Sequence, residues 1–225
     1  MTIGAAAEIL FWSSATALAY TYAGYPLLLL LVSKFRSRPV QRAAWTPTVS
    51  IIISAYNEER DLATKLENTL ALDYPEDRLE IIVSSDCSTD RTDEIARSFA
   101  SRGVRVHRQP ERLGKTAGQN AAVEQAWGEI ILFSDATTHY HPDVLRAMVP
   151  SFADPTVGCV AGRLIYVDPT ASSVGRGARS YWGYETFLKQ HESRVCSLIG
   201  ASGCSSIVWL RRGSILYSSV NGPSH

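Results

Sequence analysis

The chain has 225 residues, with 22 basic and 22 acidic side chains, zero net charge and 45% hydrophobic residues. That balance excludes a nucleic-acid binder held by a large basic surface, and the length accommodates one sizeable domain with an appendage. Cys87, Cys159, Cys196 and Cys204 are scattered without a C-x-x-C pair or histidines at metal-ligand spacing, which argues against a structural zinc or a disulfide framework.

From Ile9 to Val32 the chain carries no charge. As a helix this run measures about 36 Å, enough to cross a hydrocarbon core of roughly 30 Å with some tilt. A cleaved signal peptide is the competing reading, but no basic residue precedes the run, the run is too long, and no small-x-small site closes it. Pro26 beside Gly24 is expected to kink the helix, and Tyr20, Tyr22 and Tyr25 to mark a protein-facing side. Lys34, Arg36, Arg38 and Arg42 follow, so the positive-inside bias puts the rest of the chain in the cytoplasm. The expected division is a membrane anchor at 1–36, a basic, proline-containing linker at 37–47, an α/β domain at 48–213 and an irregular tail at 214–225.

The α/β domain opens with VSIIIS at 49–54, a buried strand that runs into Tyr56-Asn57-Glu58-Glu59. A helix with Leu62, Leu66 and Leu70 follows, with Asn57 as its expected cap and Glu58 as a first-turn acid, until Pro75 stops it. The pattern recurs at 79–83, where the polar loop Ser84 to Asp90 leads to a helix that Asp90 is placed to cap. Asp86 stands at this strand's end, where no backbone amides are expected to meet it. A short strand at 104–106 precedes QPERLGKTAGQN at 109–120; Gln109 stands where a phosphate loop needs glycine, leaving Lys115 as either a point charge for phosphate or a solvated lysine.

The most telling stretch is EIILFSDATTHYHPD at 129–143. Ile130 to Phe133 read as a strand buried on both faces, and Asp135 at its carboxyl end lies at the rim where open α/β sheets bind ligands, unless it only begins a turn or caps the next helix. Another β-rich segment spans 157–167. Strands and helices alternating this regularly predict a mostly parallel sheet with flanking helices. Its rim would gather Tyr56, Asn57, Glu58, Asp86 and Asp135 with Lys115 nearby, which suits a nucleotide sugar. A carboxylate such as Asp86 accepts the N3–H of uracil, and Asp135 can hold a divalent cation against a diphosphate.

These motifs, from VSIIISAYNEE through VSSDCSTDRT and GKTAGQNAA to ILFSDATTHYHPDVL, resemble the nucleotide-diphospho-sugar transferases of glycosyltransferase family 2, and the membrane-anchored polysaccharide synthases among them. A weaker match continues through residues 181–203. The resemblance implies a Rossmann-like GT-A fold behind one transmembrane helix, and inverting transfer of a hexosyl or N-acetylhexosaminyl group from a UDP-sugar to a glycan or lipid-linked acceptor. It implies that Ala55, Tyr56, Glu58 and Asp86 hold the uridine and that Lys115 and Asn120 lie near the diphosphate and sugar. Asp135 then belongs to the motif that binds Mg2+ or Mn2+ and the diphosphate.

Two departures qualify that pattern. The usual D-x-D is Asp135-Ala136-Thr137 here, which leaves the metal geometry open, with His139 and His141 as further candidate ligands. After Glu192 there is no Asp or Glu to deprotonate the acceptor, so the sequence reads as the front of a longer enzyme whose base lies further on, with Glu185 and Glu192 as the candidates present. A catalytically incomplete nucleotide-sugar binder is the alternative.

Overall fold

A computed structural model describes residues 3–36, 39–162, 173–195 and 205–209. The expected tail at 214–225, together with Cys196 and Cys204, lies outside them. By their contacts the residues form two compact units, one of Met1–Pro39 with Arg163–Gly200 and one of Val40–Gly162 with Ala201–His225.

In the first unit, α1 (Ile3–Ala19), a π-helical turn (Tyr20–Gly24) and α2 (Tyr25–Phe35) follow without a break. The stretch Gly4–Phe35 is long and apolar enough to cross a membrane by length and composition. The expected disturbance at Pro26 takes the form of the π turn just before it, in which the Tyr25 amide donates to the carbonyl of Tyr20. Proline has no N–H to continue the ladder, so the register change falls where the proline needs no donor. A further helix, which we call α7 (Ser173–Val195), packs along α2. Tyr25 Oη donates to Glu192 Oε1 at 2.6 Å, and the Tyr22 and Tyr184 rings lie 6.5 Å apart. Of the three tyrosines expected to face protein, Tyr25 does so, whereas Tyr20 and Tyr22 remain exposed, Tyr22 beside the Tyr184 ring. Although the sequence boundaries assign α7 to the domain at 48–213, its contacts group it with the N-terminal helices, because its Tyr184 and Glu192 find their partners there.

The second unit is built on β1 (Val49–Ala55), β2 (Leu79–Ser85), β3 (Val104–Arg108), β4 (Ile130–Asp135), β5 (Cys159–Ala161) and β6 (Ser205–Trp209). They form one sheet in the order β3-β2-β1-β4-β6-β5. The first four are parallel, while β6 runs antiparallel between β4 and β5. The helices are α3 (Leu62–Leu70), α4 (Thr92–Ser98), α5 (Lys115–Gln125) and α6 (Val144–Met148). On one face Ile51, Ile53, Val83 and Leu132 pack with Leu62, Leu66, Leu145 and Phe152; on the other, Ile52, Ile82, Ile131 and Phe133 pack with Ala122 of α5. Apolar side chains are needed on both sides of each strand, which accounts for the unalternated runs VSIII and IILF.

The chain steps from β1 to β2 to β3 in one direction and places β4 on the other side of β1, so the direction reverses between β1 and β4. Register aligns Ser54 with both Ser84 and Asp135, which brings the carboxyl ends of β1, β2 and β4 to one edge. A crevice at such a reversal, outside the strand ends, is the usual ligand site of an open parallel sheet.

Candidate nucleotide-sugar site

The loops beyond β1 and β2 are laced to each other. Asn57 and Cys87 both adopt left-handed backbone, with φ of 54° and 58°, which turns each loop sharply at its strand end. The Asn57 side chain accepts from the Thr89 amide at 2.9 Å, while the amides of Glu58 and Glu59 donate to Thr92 Oγ1 and Asp90 Oδ2. Asn57 therefore does not cap α3. That helix starts at Leu62, after a turn in which the Glu58 carbonyl accepts from the Asp61 and Leu62 amides, so Glu58 is not a first-turn acid. Asp90 does meet its helix start, accepting from the Thr92 amide at 2.9 Å.

Asp86 is where the sequence expectation fails most instructively. Its Oδ1 accepts from Gln109 Nε2 at 2.8 Å and from the amides of Leu113 and Gly114 at 3.0 and 3.1 Å. The amides that were not expected come from a loop more than twenty residues on, where Gly114 takes φ of 89° to open α5. Oδ2 shares only the Gly114 amide, at 3.1 Å. One oxygen thus holds the loop, and the other keeps its accepting capacity.

A cavity of about 280 Å³ occupies this edge, lined by Ala55, Tyr56, Glu58, Asp86, Lys115 and Asp135 together with Ser54, Ser84, Gln109 and Gly118. Of the residues that the resemblance implies for the nucleotide sugar, Asn120 alone does not line it; it lies on α5 beyond Gly118, and Asn57 of the expected rim does not line it either. A side chain at 118 would meet Ser84 Oγ at 2.7 Å and Gln109 Nε2 at 2.8 Å, so glycine is what lets α5 approach the strand ends. Gln109, which breaks the phosphate-loop pattern, carries no sequence signal for the bond it makes to Asp86. Arg112, whose guanidinium lies 4.0 Å from the centre of the Tyr56 ring, gave no signal in the sequence.

Charge is concentrated at the far end of the cavity. Lys115 Nζ donates to Asp135 Oδ1 in an ion pair. Burial raises the Glu58 carboxyl above its ordinary pKa, helped by the negative charges of Asp61, Asp135 and Asp90. The Lys115 ammonium already sits against Asp135. Mg2+ is commonly held by one or two carboxylates plus substrate phosphates, so Asp135 fits as the protein ligand of a cation that arrives with a diphosphate. No group of three His, Cys, Asp or Glu side chains suited to a metal occurs among the described residues. His139 and His141 do not line the cavity, and His141 Nδ1 lies 2.5 Å from Asp143 Oδ1. Of the two acids considered as base, Glu185 pairs with Lys189 at 2.5 Å and Glu192 accepts from Tyr25.

The family model for glycosyl transferase family 2 matches residues 50–216. The beta-monoglucosyldiacylglycerol synthase of Synechocystis sp. is 29% identical over 148 residues, which cover 64% of this chain and 31% of that protein. Glycosyltransferase AglE of Haloferax volcanii is 28% identical over 157 residues, covering 68% of this chain and 52% of the relative. Among solved structures, the mannosyltransferase PcManGT from Pyrobaculum calidifontis, in complex with GDP-Man and Mn2+, superposes with a TM-score of 0.69 at 28% identity. That match covers 87% of this chain and 55% of the mannosyltransferase. The chain thus spans between 31% and 55% of the length of these relatives.

Proposed function

The chain belongs to glycosyl transferase family 2 and has the GT-A fold, and from that premise we propose that it transfers a sugar from a UDP-sugar to a glycan or lipid-linked acceptor, with inversion at the anomeric carbon. The observation that carries the proposal is one cavity that gathers Tyr56, Asp86, Lys115 and Asp135 at the carboxyl ends of the strands. The Tyr56 ring, backed by Arg112, offers an aromatic face for a base. Asp86 has one engaged oxygen and one with capacity to spare, which suits a base edge with a single N–H donor. Uracil presents that edge, whereas guanine offers two adjacent donors and calls for both oxygens. This favours UDP, although the solved mannosyltransferase holds GDP-Man.

In the transfer, an acceptor hydroxyl oxygen forms a bond to the anomeric carbon while the bond from that carbon to the diphosphate oxygen breaks, and UDP leaves with the electron pair. Lys115 would bind the diphosphate, and Asp135 would hold a cation beside it. When bound, Mg2+ or Mn2+ would supply charge neutralisation for the departing diphosphate. The acceptor's proton must pass to a base, which general-base catalysis makes worth about 10²–10⁴-fold in rate. Glu185 and Glu192 are paired with Lys189 and Tyr25, and a second reading, binding without transfer, follows if neither acts as the base. UDP release from a UDP-sugar in the presence of glycan or lipid acceptors separates the two. Acceptor-dependent release supports the enzyme, and binding of the donor without release supports the binder.

The N-terminal apolar helix and the basic residues Lys34, Arg36, Arg38 and Arg42 favour a membrane location with the α/β unit in the cytoplasm. A topology reporter fused after Pro47 is expected to behave as cytoplasmic. Activity on the far side of the membrane would overturn this orientation.

A further inference from the structure

The loop that leaves Asp135 is fastened from below by α3. Lys65 is 0% exposed, donates from Nζ to the Thr138 carbonyl at 2.5 Å and lies 3.8 Å from the centre of the Tyr140 ring. Three residues on, Asn68 donates to the Tyr140 carbonyl at 2.9 Å and accepts from the Tyr140 amide at 2.7 Å. The Thr138 amide in turn donates to the Asp135 carbonyl at 3.1 Å, closing a turn over residues 135–138. An amine is a costly way to fill buried space: burial pulls the Lys65 pKa down to about 7, against the opposing pull of the Asp135 charge. Leucine or methionine would occupy the same volume without that cost. What they lack is a donor for the Thr138 carbonyl.

We propose that Lys65 is a positioning residue for the cation-and-diphosphate end of the site, fixing through the Thr138 carbonyl the turn that aims the Asp135 carboxylate. The inference rests on the nucleotide-sugar reading of the same cavity. The test is calorimetric titration of UDP into the full chain and into Lys65→Met, each with Mn2+ and with chelator. In Lys65→Met the gain in UDP affinity conferred by Mn2+ is expected to fall about tenfold, equivalent to about 1.4 kcal/mol. Affinity in chelator should stay within about twofold of the parent. A merely structural lysine would change both affinities alike or neither. Should Lys65→Met not fold, Asn68→Leu, which frees the same loop at Tyr140, carries the same expectation. A parent chain whose Mn2+-dependent gain survives in the variant overturns the role of Lys65 alone. A parent that binds no UDP in either condition, or binds it without any Mn2+ effect, overturns the site reading and this inference together.

Discussion

Asp86→Asn is expected to abolish or reverse a preference for UDP over CDP. The asparagine carbonyl can keep the Gln109, Leu113 and Gly114 donors that Oδ1 accepts from now. Its amide nitrogen then stands where Oδ2 stood and presents N–H to the base. Uracil's N3–H meets a donor in that position, and cytosine's unprotonated N3 meets a partner. A hydrogen bond to a charged group contributes about 1.5–3 kcal/mol, so the ratio of the two affinities should move by about 10–150-fold. Asp86→Ala is the poorer experiment, because it also releases the loop at 113–114 and would weaken both nucleotides. Calorimetric titration of UDP and CDP into parent and Asp86→Asn gives the ratio, and an unchanged ratio would mean the base is read elsewhere.

The larger effect on turnover is expected from Asp135→Asn. This substitution keeps the shape of the side chain and removes the charge that pairs with Lys115 and would hold a cation. Charge stabilisation of the departing diphosphate is worth several kcal/mol, which at 1.36 kcal/mol per tenfold makes the expected loss in transfer rate about 10²–10³-fold. The Mn2+ dependence of UDP affinity should disappear with it. Because the carboxylate is 30% exposed and lies at the sheet's edge, the unfolding temperature should change little. Transfer assayed by UDP release, beside a thermal melt, checks both halves. A variant that turns over at the parental rate would remove Asp135 from the proposed chemistry.

What could be read in advance follows the range of the interactions involved. VSIIIS and IILF announce buried parallel strands because their burial is a property of consecutive residues, and the acids that end them fall at the rim for the same reason. β6 carried no comparable signal. It enters the sheet between β4 and β5 by pairing with residues some seventy positions earlier in the chain, as in Leu132 with Ile207. Asp86 follows its strand's end as the sequence implies, but the amides it accepts from are invisible there, since the loop that supplies them folds back from Leu113 and Gly114. Lys65 sits among Leu62, Leu66 and Leu70 on α3 and resembles any solvated helix lysine until the loop from β4 is laid across it. Asn57 has the composition of a helix cap, but the side chains that claim it belong to the loop after β2.

The most direct test of the nucleotide-sugar site is a crystal structure of the full chain in detergent with UDP and Mn2+. Uracil is expected against the Tyr56 ring with N3 within hydrogen-bond distance of Asp86 Oδ2, and the diphosphate between Lys115 and a Mn2+ ion held by Asp135. A base bound away from Asp86, or a nucleotide outside this cavity, would contradict this expectation.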